Sequence, residues 1–268
     1  MSSEHLQAAS EFVVRPDGTV VGSDGAAGAL AAALPYTGRL ARRMGELAGV
    51  GDLRAMEALG RRRLGVTVTW TPAGEGTYRA TAHPVEPRVV PHFTVVGAVD
   101  AAAAVDHCLT RLMSLDGVRW STVVTAGSRV VAARGEDAEL HHLPEVGNRM
   151  LAILRSLEDQ HASGFVRLRF EEGAVVGASL GRHALVAGVG PTPDADLVAV
   201  IDEVRAILAP HDLGSVRAPG DPVGPEAAAV VADAPQPVVA PPPLAGARFA
   251  GAGERKPRAR RRRGFGLR

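Results

Sequence analysis

The chain has 268 residues, 46% of them hydrophobic but only 4% aromatic, so a core must be built from Ala, Val and Leu in short elements; the length predicts about two domains. The formal net charge of +1 hides an asymmetry: eight positive charges stand without an acid in residues 255–268, which leaves −7 for residues 1–254. A single cysteine, Cys108, excludes an intramolecular disulfide framework or a thiolate zinc cluster and predicts a reducing compartment, while no apolar stretch reaches the roughly 18 residues of a membrane span.

The first residues, MSSEHLQAAS, have neither the basic start nor the apolar run of a secretory signal, and a soluble, cytoplasmic protein is expected. FVVRPDGTVVGS then reads as a hairpin about Asp17-Gly18. The spacing of Leu40, Met44 and Leu47 predicts a helix over Leu34–Leu47 with Pro35 near its start. The next segment, GDLRAMEALGRR, is open: Leu53, Met56 and Leu59 suit a helix, while a brief alternation ended by Gly60 suits a strand. If the two halves of the chain are copies, Leu53–Ala58 should be the strand. RLGVTVTW and GTYRATAH follow as two strands.

The second half repeats the order more clearly. Ala104, Val105, Cys108, Leu109, Leu112 and Leu115 predict a helix over Ala101–Leu115, with Asp100 as N-cap. The β-branched runs Thr122–Ala126 and Arg129–Arg134 join in a hairpin at Gly127-Ser128. Pro144 opens a helix with the stripe Val146, Met150, Ile153, Leu154 and Leu157, reaching Gln160. FVRLRF alternates Val166, Leu168 and Phe170 against Phe165, Arg167 and Arg169, as a half-buried strand does. AVVGASL and HALVAGVG give two more strands, and Asp194 or Asp196 can cap a last helix carrying Leu197, Val200, Ile201, Val204 and Leu208. From Pro210 the chain turns dense in Pro, Ala and Gly, and residues 213–268 read as a disordered linker ending in a basic peptide.

Residues 98–209 resemble the roadblock/LC7 family of the longin and profilin-like group, in element order and in the stretches DGVRWSTVVTAGSRVVAARGED, LPEVGNRMLAILRSL and GRHALVAGVG. FVVRPDGTVVGSDG and GDLRAMEALGRRRLGVTVTW resemble the family's first hairpin and its third and fourth strands more loosely. The first half departs from the pattern: few residues precede Phe12, and no long helix stands before Asp100. The resemblance implies an α+β fold, an antiparallel five-stranded sheet flanked by helices, in two copies over residues 11–90 and 98–210. It also implies a dimer-forming regulatory platform, as in bacterial proteins that regulate Ras-like small GTPases.

Such dimers pair the helix after the first hairpin and the strand that follows it. Carried onto this chain, these are Leu143–Gln160 and Phe165–Phe170, with Leu34–Leu47 and Leu53–Ala58 as their counterparts. The implied interface residues are Leu143, Val146, Met150, Leu154, Phe165, Arg167 and Arg169. An edge strand invites another strand, so the expectation is a homodimer or a pseudo-dimer of the two halves within one chain.

Chemistry is faint by comparison. ELHHLPE sets His141 and His142 near Glu139 and Glu145, but adjacent histidines cannot share one ion from a regular element, and a solvated loop before a helix explains them better. Cys108 lies on an apolar stripe and reads as core rather than nucleophile. GVGPTPDAD lacks the glycine spacing of a dinucleotide loop and the Gly-Lys-Ser/Thr of a P-loop, and reads as a strand exit. No catalytic set, metal site or cofactor site is expected. The expected function is a non-enzymatic scaffold; the alternative lies in the tail, where Arg255, Lys256, Arg258, Arg260, Arg261, Arg262, Arg263 and Arg268, with Phe265 and Leu267, suit an anionic membrane at the inner surface or nucleic-acid phosphates.

Overall fold

Paired valines start each half of the chain in the same way. In the computed structural model, which describes residues 10–22, 28–60, 62–85, 90–91, 93, 100–136, 142–161 and 164–216, β1 (Ser10–Val14) and β2 (Val20–Val21) form the first hairpin. Arg15 N donates to Thr19 O and Gly18 N to Arg15 O, both at 2.9 Å, and the Asp17 carboxylate accepts from Thr19 N and Oγ1. Gly18 supplies the left-handed residue of the turn, with φ 83°.

α1 spans Gly28–Ala48 and so begins before the expected Leu34. The cause is GALAAAL, a run of strong helix formers, which places Pro35 inside the helix, where it has no N–H to give the preceding turn. Gly38 and Gly45 let α1 close on the sheet: a Cβ at either would lie 2.3 Å from the Tyr78 hydroxyl or from Gly51 O. β3 (Leu53–Leu59), β4 (Arg62–Trp70) and β5 (Gly76–Pro84) follow as an antiparallel meander whose last strand returns beside β1. The open segment is therefore a strand.

α2 (Ala101–Met113) starts at Asp100, whose carboxylate accepts from Ala103 N at 2.8 Å. β6 (Val118–Val124) and β7 (Val130–Gly135) form the second hairpin. Its turn repeats the first, with Thr125 N bonded to Arg129 O at 2.8 Å and Ser128 N to Thr125 O at 3.0 Å. Ser128 takes the place of Gly18 and also has positive φ, 63°.

α3 spans Leu143–His161, and its Leu-Pro-x-x-Gly start matches that of Leu34–Gly38 in α1. Gly147 sits against Val124 as Gly38 sits against Tyr78. β8 (Phe165–Phe170), β9 (Ala174–Leu180) and β10 (His183–Val189) form the second meander, and α4 (Asp194–Leu208) closes the fold. Pro193 occupies the α4 N-cap position and makes no side-chain cap, so neither Asp194 nor Asp196 fills the expected role; Asp194 is drawn to arginines instead.

The class is α+β with an antiparallel sheet, as the sequence predicts. The sheet itself is ten-stranded and continuous, where a five-stranded sheet is expected, in the order β2-β1-β5-β4-β3-β8-β9-β10-β6-β7. The reason is the pairing of β3 with β8, with Met56 opposite Leu168 and Leu59 opposite Phe165. One core lies between the sheet and α1 with α3, and includes Leu34, Met44, Met56, Met150, Ile153 and Leu168. A second lies on the other face, under α2 and α4, and includes Val105, Leu109, Phe165, Leu185 and Ile201. On that same face the first half is polar and exposed at Thr67, Thr69, Arg79 and His83, as an antiparallel sheet allows.

The expected linker from residue 213 needs correcting. Leu213 and Val216 are buried in the second core, and the Arg129 guanidinium donates to the carbonyls of Gly214 and Val216, so ordered packing runs to residue 216. The rest of that linker, 217–268, lies outside the described residues.

Because the first core takes side chains from both halves, they are expected to unfold together. With Trp120→Phe leaving Trp70 as reporter, and Trp70→Phe leaving Trp120, urea melts followed by fluorescence and by circular dichroism should each coincide within one variant. Gly164→Val, whose Cβ would overlap Leu59 O at 1.2 Å, should cost about 3 kcal/mol or more in the same melt.

Candidate protein-interaction surface

Charge compensation at the β3–β8 junction follows from its burial. β8 is covered on both faces, and its Arg167 has a side chain only 8% exposed. Its guanidinium meets the Asp194 carboxylate at 2.8 Å and donates to Thr192 O at 2.8 Å. Asp194 also receives Arg63, from β4, at 3.3 Å. Two residues further along β8, Arg169 contacts Glu57 of β3 at 3.0 Å. At the other end of the seam Glu171 pairs with Arg54 and accepts from Asp52 N at 3.2 Å, while Glu172 N donates to Val50 O.

These contacts show where the interface residues expected from sequence go. Leu143, Val146 and Met150 are buried in the core shared with α1, and Leu154 is half-buried at its margin. Phe165 is buried on the opposite face with α2 and α4. Arg167 and Arg169 are engaged by Asp194 and Glu57. Phe165, Arg167 and Arg169 thus lie on the strand that pairs with β3, and Leu143, Val146, Met150 and Leu154 on the helix that meets α1, and the edges of β3 and β8 are closed to another strand.

What α1 and α3 present outward is a different set. Tyr36 is 48% exposed, and Arg39, Arg43 and Glu46 of α1 and Asn148 and Arg155 of α3 are exposed with it. Arg43 pairs with Glu46 at 2.7 Å and Arg149 with Glu145. The hydrogen bond from Arg149, aided by the charges of Arg149 and Arg43, holds the Glu145 carboxyl below the usual range. Reading only the apolar stripes missed this surface; its signal was the complementary stripe of Tyr36, Arg39 and Arg43 at helical spacing.

The groups that suggested chemistry are held in structural roles. Cys108 is buried on α2, and burial, with Glu203 adding to it, pushes its thiol up to about 12. In GVGPTPDAD two loop donors are already used: Gly190 N bonds Gly117 O at 2.6 Å and Thr192 N bonds Gly190 O, while Thr192 Oγ1 donates to Asp116 O. Glu145 is occupied by Arg149 and His142 is exposed; Glu139 and His141 lie outside the described residues, as do Arg255, Lys256, Arg258, Arg260, Arg261, Arg262, Arg263, Phe265, Leu267 and Arg268. Among the described residues no helix is long and apolar enough to cross a membrane. Set against known proteins, the chain matches no family model and no curated protein.

The two arginines of β8 should separate by burial. Arg167→Ala removes a buried guanidinium and leaves Asp194 with Arg63 alone, and should cost about 2 kcal/mol, whereas Arg169→Ala, at a half-exposed side chain, should cost under about 1 kcal/mol, both by urea melt. Cys108 should resist thiol-specific reagents in the native protein and react fully once unfolded, as a stoichiometric thiol assay would show.

Proposed function

We propose that the chain is a non-catalytic scaffold for a protein partner, built as two divergent roadblock-like units that pair within one chain as a pseudo-dimer. The observation that carries this reading is the seam: β3 pairs antiparallel with β8, and α1 packs on α3 above it. Two repeated details support common construction of the halves. Each first hairpin joins Val-Val to Val-Val through five residues, Arg15–Thr19 and Thr125–Arg129, and each seam helix carries Leu-Pro-x-x-Gly.

In this reading the partner is a Ras-like small GTPase or another signalling protein, met on the outer face of α1 and α3 by Tyr36, Arg39, Arg43, Asn148 and Arg155. Tyrosine and arginine are enriched among residues that dominate binding energy. A non-catalytic role is supported by the structural engagement of Cys108, Glu145 and the Gly190–Thr192 loop. Purified small GTPases from the same organism, loaded with GDP or a GTP analogue, provide the test. One should bind, and Tyr36→Ala with Arg39→Glu should weaken it by about tenfold or more, roughly 1.4 kcal/mol or above, with the melting temperature unchanged. Binding that is indifferent to both substitutions would remove the helix layer from the proposal.

A second reading rests on the eight cations of residues 255–268. In it the folded part is a mount, and the tail lies on an anionic membrane at the inner surface, Phe265 and Leu267 inserting, each arginine contributing about 1 kcal/mol. Co-sedimentation with phosphatidylserine vesicles should then be lost on deleting residues 255–268 and fall as salt rises; retention on DNA by the same segment would point to phosphates instead.

A further inference from the structure

α1 and α3 meet above the β3–β8 seam, yet the two helices differ in charge. Over Gly28–Ala48 α1 has three arginines, Arg39, Arg42 and Arg43, against Glu46 alone, a formal +2. Over Leu143–His161 α3 has Glu145, Glu158 and Asp159 against Arg149 and Arg155, a formal −1.

Most of the α1 charge is answered within the chain. Arg42 meets Asp52 at 2.9 Å and lies over the Trp70 ring, and Arg43 meets Glu46 at 2.7 Å. Arg39 is the exception. It is exposed, one helical turn from Tyr36, and among the described residues it has no salt-bridge partner. An exposed cation in water needs no partner for stability. What it does is set the sign of the field that an approaching molecule meets over α1.

The carboxylates of the layer decide what kind of anionic surface can follow. A bilayer of anionic lipid is negative throughout and would be repelled by exposed Glu46 and by Glu145 as much as it is drawn to Arg39. A folded protein can set its acids over Arg39 alone and leave neutral or basic groups for α3. We propose that the protein partner of this helix layer carries an acidic patch, which Arg39 draws over α1 with Tyr36 beside it, and that the opposite charge of α3 favours one orientation of landing. The inference rests on the scaffold reading above and adds the sign of the partner's surface. Rim charges act on association, and aromatic anchors that become buried in the complex act on dissociation.

Stopped-flow binding of the full chain to the small GTPase that it retains, at about 0.01 and 0.1 M salt, where the screening length falls from roughly 30 to 10 Å, tests this. Association should slow as salt rises. Arg39→Glu should slow it by about threefold or more at the lower salt, with dissociation nearly unchanged, whereas Tyr36→Ala should speed dissociation by about tenfold. Arg79→Glu makes the same charge change at an exposed residue of the opposite sheet face and should leave association nearly as it was. Arg155→Glu, on α3, should slow it less than Arg39→Glu does. Binding that is intact but indifferent to salt and to Arg39→Glu overturns the acidic patch and leaves the scaffold reading standing. An equal effect of Arg79→Glu traces the rate to net charge and overturns the location, and an equal effect of Arg155→Glu overturns the orientation. Loss of phosphatidylserine-vesicle binding in Arg39→Glu gives the face to lipid instead. If no small GTPase binds at either salt, the scaffold reading and this inference fall together.

Discussion

The antiparallel pairing of β3 with β8 is the constraint on which the rest of the molecule depends. Each strand would otherwise be an edge, with a row of unpaired N–H and C=O groups open to any passing strand. By pairing with each other they become interior strands, and the edges of the sheet are left to β2 and β7. An interior position carries an obligation. β8 is buried on both faces, so Phe165 needs the cover of α2 and α4, and Arg167 needs a countercharge that water no longer supplies. Asp194 supplies it from the first turn of α4, which also places that helix. Topology, buried charge and helix position are thus one chain of cause.

The helix layer follows from the same seam. α1 and α3 lie over neighbouring strands of one sheet and meet each other, and small residues set how closely they approach it. Gly38 and Gly45 admit Tyr78 and Phe170 beneath α1, and Gly177 admits Met150 of α3, whose Sδ would be 2.1 Å from a Cβ there. Side-chain volume has been moved from helix to sheet or from sheet to helix at each point, keeping packing dense with few aromatics.

Much of this was legible in the sequence because it is local. The hairpins about Asp17-Gly18 and Gly127-Ser128, the Asp100 cap and the existence of a strand at FVRLRF depend on near neighbours, and each is found where the residues put it, although the strand is buried on both faces rather than one. What was not legible depends on partners distant in sequence. GDLRAMEALG has no periodicity of its own to settle it, and becomes strand because β4 and β8 flank it. Arg167 alternates as an outward residue should, yet is buried, because α4 closes over it from some thirty residues further on. Pro35 imitates a helix start, and the alanines before it override that signal. The surface set Tyr36, Arg39 and Arg43 was readable as the polar complement of an apolar stripe, but reading for burial alone passes over it.

Placing both sides of a seam in one chain changes what the seam can do. Pairing no longer depends on protein concentration, as it does in a dimer of separate chains. The two sides also need not be identical. A two-fold symmetric dimer offers each surface residue twice, whereas here the position after Leu-Pro is Tyr36 in α1 and Glu145 in α3. The opposite face is likewise unequal, apolar and covered under α2 and α4 but polar and exposed at Thr67, Thr69 and Arg79. On the proposed reading, a partner on the helix layer would find an aromatic ring on one side and a carboxylate, already held by Arg149, on the other. On that reading the difference would favour a single orientation of docking, with one partner per chain.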